Sequence, residues 1–200
     1  MKRIITIVLA LVAVFLVYLL YSSIVAPINF QKEKNRRYAI TIDRLKDIRT
    51  AQVAYHSEYK KYTGSFDTLI NFIQTDSFRV VRQIGSLDDS LAVAQGRVRR
   101  DTISVCVRDS LFKDYPWIDS LRYVPFTNGY EFNMQAGQLM TGSKVVVQVF
   151  EVSVPNKVLL NGLDRQEIIN LDDLAHQLDR FPGLKVGSMT EATNNAGNWE

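Results

Sequence analysis

The sequence predicts an α+β protein in which an N-terminal transmembrane helix continues into a long amphipathic helix packed on an antiparallel β-sheet. A charge-free apolar run comes first, a stripe at helical spacing follows it, and short apolar runs separated by turn residues form the second half. The predicted divisions are a short head at 1–3, a transmembrane helix at 4–26, an amphipathic helix at 27–62, and an α+β globular domain at 63–200 that packs with helix 36–60.

The composition fits one globular domain with a membrane segment. Of 200 residues, 46% are hydrophobic and 22% are charged, which excludes a disordered chain and a multi-span membrane protein. The net charge of +3 arises mainly between Lys32 and Lys61, where nine Lys or Arg residues face four Asp or Glu residues. A basic stretch beside a membrane fits lipid headgroups better than nucleic acid, so we expect no nucleic-acid partner. The single cysteine, Cys106, excludes an internal disulfide and is expected to be buried in a strand.

The transmembrane helix is predicted from 22 residues without a charge, Ile4 to Val25. At about 1.5 Å per residue they span about 30 Å of hydrocarbon. A cleaved secretory signal is the alternative, but the apolar run is long for one, and Pro27 would follow the only small-residue cleavage site. Retention is therefore favoured. The residues expected to form the anchor are Ile4, Leu9, Leu11, Val14, Phe15, Leu19, Val25 and Pro27.

The orientation of this helix has conflicting signals. A three-residue head followed at once by an apolar helix is typical of an uncleaved signal anchor, which exports the domain that follows it. The basic residues after the span outnumber those before it, and the positive-inside rule would keep that domain in the cytoplasm. Export is favoured, so we expect a single-pass protein of the inner membrane with a periplasmic C-terminal domain.

A long amphipathic helix is predicted after the membrane, with Pro27 bending or briefly interrupting the chain at its start. Its apolar stripe packs either on the sheet of the same chain or, in addition, on neighbouring subunits. The polar Gln52 and the tyrosines argue against a self-contained dimeric coiled coil. Gly64 is expected to end this helix, and Ser65 to cap a second one from Phe66 to Gln74. The stripe consists of Tyr38, Ile42, Leu45, Ile48, Gln52, Tyr55 and Tyr59.

The second half is predicted to be mainly antiparallel strands. Turns at Asn128-Gly129 and Gly142-Ser143 indicate two hairpins, and Lys144–Val154 is long and apolar enough to be the central strand. Ser86–Asp101 is compatible with a helix or a loop. A helix capped by Asn170 is expected to run to Arg180, and Trp199 is expected to fold back on the domain rather than to dock on a partner. The predicted strands are Phe78–Ile84, Thr102–Val107, Leu121–Phe126, Tyr130–Met134, Lys144–Val154 and Lys157–Leu160.

The membrane-proximal third of the chain resembles the type IV pilin-like proteins, most closely the major pseudopilins of type II secretion systems. The residues that carry the resemblance are Pro27, Lys32-Glu33-Lys34, Ala51, Tyr55, Tyr62 and Leu69. It implies a long helix lying across a small β-meander. Precursors of that family carry a Gly and a Phe-like residue around a cleavage point and a downstream Glu, where this chain has Ile5, Thr6 and Ala10. The resemblance therefore implies an uncleaved, membrane-resident relative, and it leaves open whether this chain polymerises, because the residues that the family's usual mechanism uses are missing.

The sequence gives little indication of catalytic chemistry. His56 and His176 are expected to be exposed helix residues, and the acidic pairs Asp88-Asp89 and Asp172-Asp173 are expected to be a turn and a helix start. No catalytic residue, cofactor or resident metal is predicted. Calcium is allowed by the resemblance, because some major pseudopilins bind it near the C-terminus. The oxygen ligands available there are Asn194, Asn195, Asn198 and Glu200.

Three functional hypotheses follow. The first is a non-enzymatic, pilin-like subunit of an envelope secretion or pilus-type apparatus, whose partners are the lipid bilayer and other subunits of that assembly. The second is a single-span assembly-platform protein with a helical stalk and a ferredoxin-like domain. The third is a membrane-tethered enzyme or ligand-binding module.

Overall fold

The architecture is α+β, as predicted. A computed structural model describes residues 2–84, 99–113, 117–142 and 144–200. The helices are α1 (Lys2–Tyr59), α2 (Phe66–Thr75), α3 (Val107–Leu111), α4 (Asn156–Leu159) and α5 (Arg165–Gln177), with a 3₁₀ turn at Ile118–Arg122. The strands are β1 (Ser77–Ile84), β2 (Arg99–Cys106), β3 (Asn133–Met140), β4 (Val146–Pro155) and β5 (Gly183–Gly187).

Helix α1 is continuous through Pro27. The predicted interruption is therefore wrong, because a proline removes one backbone donor and a helix of this length keeps its remaining hydrogen bonds. The helix ends at Tyr59 rather than at Gly64. Lys60 stops it by adopting a left-handed conformation (φ 58°), and its N–H still donates to the His56 carbonyl oxygen at 2.9 Å.

The connection from α1 to α2 is stabilised by a hydrogen bond to the side chain of Thr63. Ser65 occupies the N-cap position of α2, as predicted, but its hydroxyl caps no backbone N–H of the helix. The Thr63 hydroxyl oxygen instead accepts a hydrogen bond from the Ser65 N–H at 3.2 Å. The buried face of α2 consists of five large apolar residues. These are Phe66, Leu69, Ile70, Phe72 and Ile73.

A three-stranded antiparallel sheet in the order β3-β4-β5 forms one wall of the core. The central position of β4 confirms the prediction for Lys144–Val154, and Phe150, Val152 and Val154 on it are fully buried. The predicted turn near Gly142 joins β3 to β4, while Ser143 lies outside the described residues. Strand β5 was not predicted, and it pairs with β4 from Glu151↔Gly187 to Pro155↔Gly183.

A second, two-stranded sheet pairs β1 with β2 in antiparallel register from Ser77↔Cys106 to Ile84↔Arg99. Both predicted strands are present. Cys106 is exposed rather than buried, because it is the last residue of a strand whose two-stranded sheet cannot cover both of its own faces. Of the segment Ser86–Asp101, only residues 99–101 lie in the described part of the chain, where they begin β2; Asp88-Asp89 lies outside it.

Three strand predictions need correction. Leu121–Phe126 is not a strand: its first two residues end the 3₁₀ turn, and Tyr123 then forms one antiparallel bridge with Glu131. Asn128-Gly129 reverses the chain between Tyr123 and Glu131. Tyr130–Met134 overlaps β3 only at its end. Lys157–Leu160 is a helical turn, α4. Apolar runs of four to six residues fit a strand or a buried helical turn equally well, so periodicity could not distinguish them.

Helix α5 begins earlier than predicted. Asp164, not Asn170, is its N-cap: Oδ1 accepts from the N–H groups of Gln166 at 2.9 Å and Glu167 at 3.1 Å. The helix ends at Gln177 rather than Arg180. The C-terminal tail returns to the domain, and Trp199 packs against the core as predicted.

Candidate functional site

The two halves of α1 have opposite environments. Among the described residues, one helix is long and apolar enough to cross a membrane, and it is the N-terminal part of α1. The described side chains from Ile7 to Asn29 are exposed or half-buried, whereas Phe30 is only 5% exposed. The folded domain therefore begins to cover α1 at Phe30, within two residues of the exposed Ile28.

The predicted anchor residues lie in the uncovered half. Leu9, Leu11, Val14, Phe15 and Leu19 are exposed, Val25 and Pro27 are half-buried, and the side chain of Ile4 lies outside the described residues. No other element of the described chain covers this apolar helix surface. In water it would be strongly unfavourable, because each exposed large aliphatic side chain forgoes about 1.5–3 kcal/mol of burial.

The stripe on the second half of α1 faces the protein's own domain. Leu45, Ile48, Gln52 and Tyr55 are buried, Tyr38 and Ile42 are partly buried, and Tyr59 is about half exposed. This part of α1 lies against β5, α2, α3 and the 3₁₀ turn. Most of the stripe is therefore occupied by intramolecular packing.

The polar member of the stripe, Gln52, ties α1 to the loop that follows it. Its Nε2 donates to the Thr63 carbonyl oxygen at 2.6 Å and to Met134 Sδ at 3.1 Å, and its Oε1 accepts from the Thr63 N–H at 3.1 Å. The amide is completely buried. A buried amide with both polar atoms satisfied fixes the path of the chain between α1 and α2.

Aromatic contacts continue this junction beyond Gln52. The Tyr55 ring meets Phe72 of α2 edge-on with the ring centroids 5.2 Å apart, and it lies 4.7 Å from the Tyr59 ring. The Tyr59 hydroxyl donates to Asp76 Oδ2 at 2.5 Å, and this hydrogen bond to the carboxylate raises the pKa of Tyr59. The distal end of α1 is thus held by ring packing and one charge-assisted hydrogen bond.

Three arginines of α1, which sequence reasoning missed, also join the helix to the domain. Arg37 Nη1 donates to the carbonyl oxygens of Leu159 and Asn161, both at 3.0 Å. Arg44 Nη1 donates to the Ser120 carbonyl oxygen at 2.7 Å. The only sequence signal was that each arginine stands next to a stripe residue.

The third arginine, Arg49, holds the C-terminal tail. Its Nη1 pairs with Glu200 Oε1 at 2.6 Å and donates to the Asn195 carbonyl oxygen at 3.3 Å. The ion pair with Arg49 lowers the pKa of Glu200. The tail and α1 therefore behave as one packed unit.

A polar network joins α1 to α4 and α5. The Tyr38 hydroxyl donates to Asn156 Oδ1, and Asn156 Nδ2 donates to Asp172 Oδ1 at 2.8 Å. Burial, reinforced by the negative charge of Asp172, raises the pKa of Tyr38 to about 12. A tyrosine with this pKa stays protonated near neutral pH, so it is a fixed hydrogen-bond donor and not a general base.

An open cavity of about 250 Å³ adjoins this network, lined mainly by apolar residues of α5 and by Trp199. It receives the Tyr38 hydroxyl and the Asn156 amide at one end, and those groups already bond to each other. The cavity is therefore a gap in the packing between α5 and the C-terminal tail, and its lining does not bring reactive groups together.

The other candidate residues do not converge. His56 stacks on Tyr62 with ring centroids 4.5 Å apart, and His176 is exposed at the end of α5. Asp173 is exposed within α5, so Asp172-Asp173 is not a helix start. In the described residues, no group of three or more His, Cys, Asp or Glu side chains could hold a metal ion.

Three of the four residues considered for calcium, Asn195, Asn198 and Glu200, form contacts that pack the tail. Asn198 Oδ1 accepts from the Lys185 N–H at 3.1 Å, and Glu200 is paired with Arg49. Asn195 Nδ2 donates to the Tyr62 hydroxyl at 2.9 Å, and Asn194 lines a cavity beside it. Calcium binding here would require these contacts to be exchanged.

Comparison with family models, with curated proteins and with solved structures finds no match. The function is therefore inferred from the two halves of α1 and from the surfaces around them.

Proposed function

We propose that this protein is a non-enzymatic, pilin-like subunit of an envelope secretion or pilus-type assembly, retained in the inner membrane by α1 with its domain on the periplasmic side. One observation supports the proposal above all others: a single continuous helix is exposed and apolar over its first half and buried by its own domain over its second half. Such a rod can hold subunits together side by side in a bilayer while each domain stays folded on its own helix.

The face that neighbouring subunits would contact is the outer side of α1, not the stripe. Val53 is 47% exposed on the covered half, and its spacing of 25 residues places it on the same side of α1 as Ile28, within about 20° around the helix axis. Ile40 is 43% exposed on a different side of the helix. Exposed apolar side chains along one helix are typical of a surface that associates with another helix.

The assembly-platform alternative requires a dimer through the stalk. Leu45 and Ile48, at the centre of the stripe on this stalk, are fully buried against the domain, and so a second helix would have to displace that domain. For the enzyme alternative, the described residues include no group of three or more His, Cys, Asp or Glu side chains that could hold a catalytic metal ion. Both observations favour the assembly subunit.

Paired cysteines on α1 test the proposal in membranes. In a Cys106→Ser background, Ile28→Cys is combined in turn with Val14→Cys, Val17→Cys or Tyr21→Cys, positions about 10–20 Å lower on the same helix. Subunits arranged head to tail present different patches to each other, so at least one pair should give oxidised ladders longer than a dimer.

Matched controls distinguish head-to-tail crosslinking from random or dimeric crosslinking. Each cysteine alone should give at most dimers, and Leu45→Cys and Ile48→Cys should stay uncrosslinked because both side chains are inside the domain. Efficient dimers at Leu45 or Ile48 would support the platform instead. Monomers with every pair, in membranes that contain the protein, would overturn the assembly function.

A further inference from the structure

The folded domain sits directly at the end of the apolar helix. Phe30 is buried by the domain, while Ile28 one half-turn earlier is 59% exposed. If α1 spans the membrane as proposed, the base of the domain meets the lipid headgroups, which extend about 5–8 Å beyond the hydrocarbon. Lys32 follows Ile28 by four residues, a rise of about 6 Å, and so lies within that zone.

The side chains at this level and over the next turn of α1 are mainly basic. Lys32 is exposed, Lys34 is partly exposed with its Nζ 5.7 Å from the Tyr38 ring centroid, and Arg36 is exposed with its guanidinium 4.9 Å from the Phe126 ring. The Cα–Cβ bonds of an α-helix tilt toward its N-terminus, which here is the membrane side. Long basic side chains therefore extend back toward the bilayer surface.

The domain contributes a further charge to this basic surface. Lys157 is exposed on α4, whose neighbouring residue Asn156 bonds to Tyr38 and whose Leu159 carbonyl oxygen bonds to Arg37. These contacts fix α4 beside the first covered turns of α1. Neither Lys32 nor Lys157 forms an ion pair within the described residues.

The carboxylates in this region are already occupied. Glu33 Oε1 accepts from Arg36 at 2.8 Å and from Arg37 at 3.0 Å, and these hydrogen bonds lower its pKa to about 2. Asp172 accepts from Asn156. Glu33 therefore keeps its charge at neutral pH and offsets one arginine, while Lys32 and Lys157 keep a positive charge with which no carboxylate of the described residues pairs.

We infer that Lys32, Lys34, Arg36 and Lys157 form a binding surface for anionic phospholipid headgroups, which selects acidic lipid around the anchor and seats the domain on the bilayer. This inference rests on the membrane anchoring in the proposed function and specifies the lipid class. Each basic side chain at such a surface contributes about a fivefold preference for acidic lipid, and salt weakens it because the charges are exposed.

The test uses the full chain in lipid nanodiscs made from phosphatidylcholine mixed with phosphatidylglycerol. Lipids retained by the protein after mild detergent release are counted by native mass spectrometry and compared with the bulk ratio. Phosphatidylglycerol should be enriched. The Lys32→Glu, Lys34→Glu double variant should lose this enrichment by about fivefold or more.

The matched control is Lys60→Glu, Lys61→Glu, which makes the same change in net charge at the distal end of α1. This control should keep the enrichment. The inference is overturned if both double variants lose the phosphatidylglycerol enrichment equally, or if the unmodified chain retains lipids at the bulk ratio. Neither outcome would affect the crosslinked ladders that test the assembly function. A chain that never enters the discs overturns the anchoring, and both proposals with it.

Discussion

The side-chain amide of Gln52 holds the backbone of Thr63 at both of its polar groups, through Nε2 to the carbonyl oxygen and Oε1 to the N–H. Replacing Gln52 with Leu keeps the approximate volume but leaves both buried backbone groups without a partner. We expect the free energy of unfolding to fall by about 3 kcal/mol. Urea unfolding of the full chain in detergent micelles, followed by tryptophan fluorescence, measures it.

Gln177→Leu is the control for this change. Gln177 is exposed at the end of α5, where the same substitution should alter the free energy of unfolding by less than about 0.5 kcal/mol. If Gln52→Leu is as mild as its control, then the Thr63 groups find other partners and Gln52 does not fix the α1–α2 junction.

The raised pKa of Tyr38 predicts that the free energy of unfolding decreases at alkaline pH. Its folded-state pKa is raised to about 12 from an ordinary value of 10.0, so the neutral form is favoured by folding. The resulting contribution is fully present below pH 10 and is lost as pH rises through 12. The difference in unfolding free energy between the wild type and Tyr38→Phe, about 1 kcal/mol near neutral pH, should therefore shrink over this interval.

The comparison is made at each pH by denaturant unfolding, because ionisation of the other tyrosines is shared by both proteins and cancels in the difference. Tyr130→Phe, at an exposed position, is the control and should match the wild type near neutral pH. A wild-type advantage that persists unchanged beyond pH 12 would show that the Tyr38 proton is not what the network requires.

The elements that sequence predicted well are those with a long or strong pattern. The buried face of α2 repeats every three or four residues, and the apolar run in β4 is too long to be anything but a central strand. The stripe on α1 was likewise visible, because its spacing continues over more than five turns.

The failures share a physical cause, which is that the deciding partner lies elsewhere in the chain. Lys157–Leu160 is helical although its apolar residues also fit a strand. Strand β5 depends on Gly187, whose φ of 72° and close approach to the Phe150 carbonyl oxygen require a residue without Cβ. Neither the helical turn at Lys157–Leu160 nor the approach of Gly187 to Phe150 can be predicted from the residues that flank them in the sequence.

The three arginines of α1 were missed for a related reason. Arg37, Arg44 and Arg49 each donate to a backbone carbonyl oxygen of the domain, and every residue possesses one, so no sequence pattern identifies these acceptors. Arg37 and Arg49 also pair with the carboxylates of Glu33 and Glu200, but only the Glu33 pair lies within one helix. Ion pairs such as Lys46 with Asp43 were predictable because both partners are on one helix.

Arg37→Lys tests how far the helix–domain junction depends on the shape of the guanidinium. A lysine ammonium keeps the charge but cannot reproduce the contacts of Arg37 with Glu33, Leu159 and Asn161 together. We expect a loss of about 1–2 kcal/mol in the free energy of unfolding, measured by urea titration.

The neighbouring Arg36→Lys is the matched control. Arg36 donates hydrogen bonds to the Glu33 carboxylate and lies 4.9 Å from the Phe126 ring centroid, but it contacts no backbone carbonyl oxygen among the described residues. Its side chain is 58% exposed, and surface ion pairs of this kind contribute little. The change should cost less than about 0.5 kcal/mol. Equal effects at the two positions would mean that the carbonyl contacts of Arg37 add nothing to stability.

Phe30 is the first residue along the described part of α1 that the domain buries. A chain of residues 28–200 lacks most of the exposed apolar half of α1 but keeps Phe30, so we expect a folded monomer by light scattering and unfolding like that of the full chain. Phe30→Ala in this shortened chain should lower the free energy of unfolding by about 3 kcal/mol, because its side chain is nearly completely buried. Ile28→Ala, at a 59% exposed position, should change it little. If Phe30→Ala changed the free energy of unfolding as little as Ile28→Ala, the domain would begin to cover α1 only after Phe30.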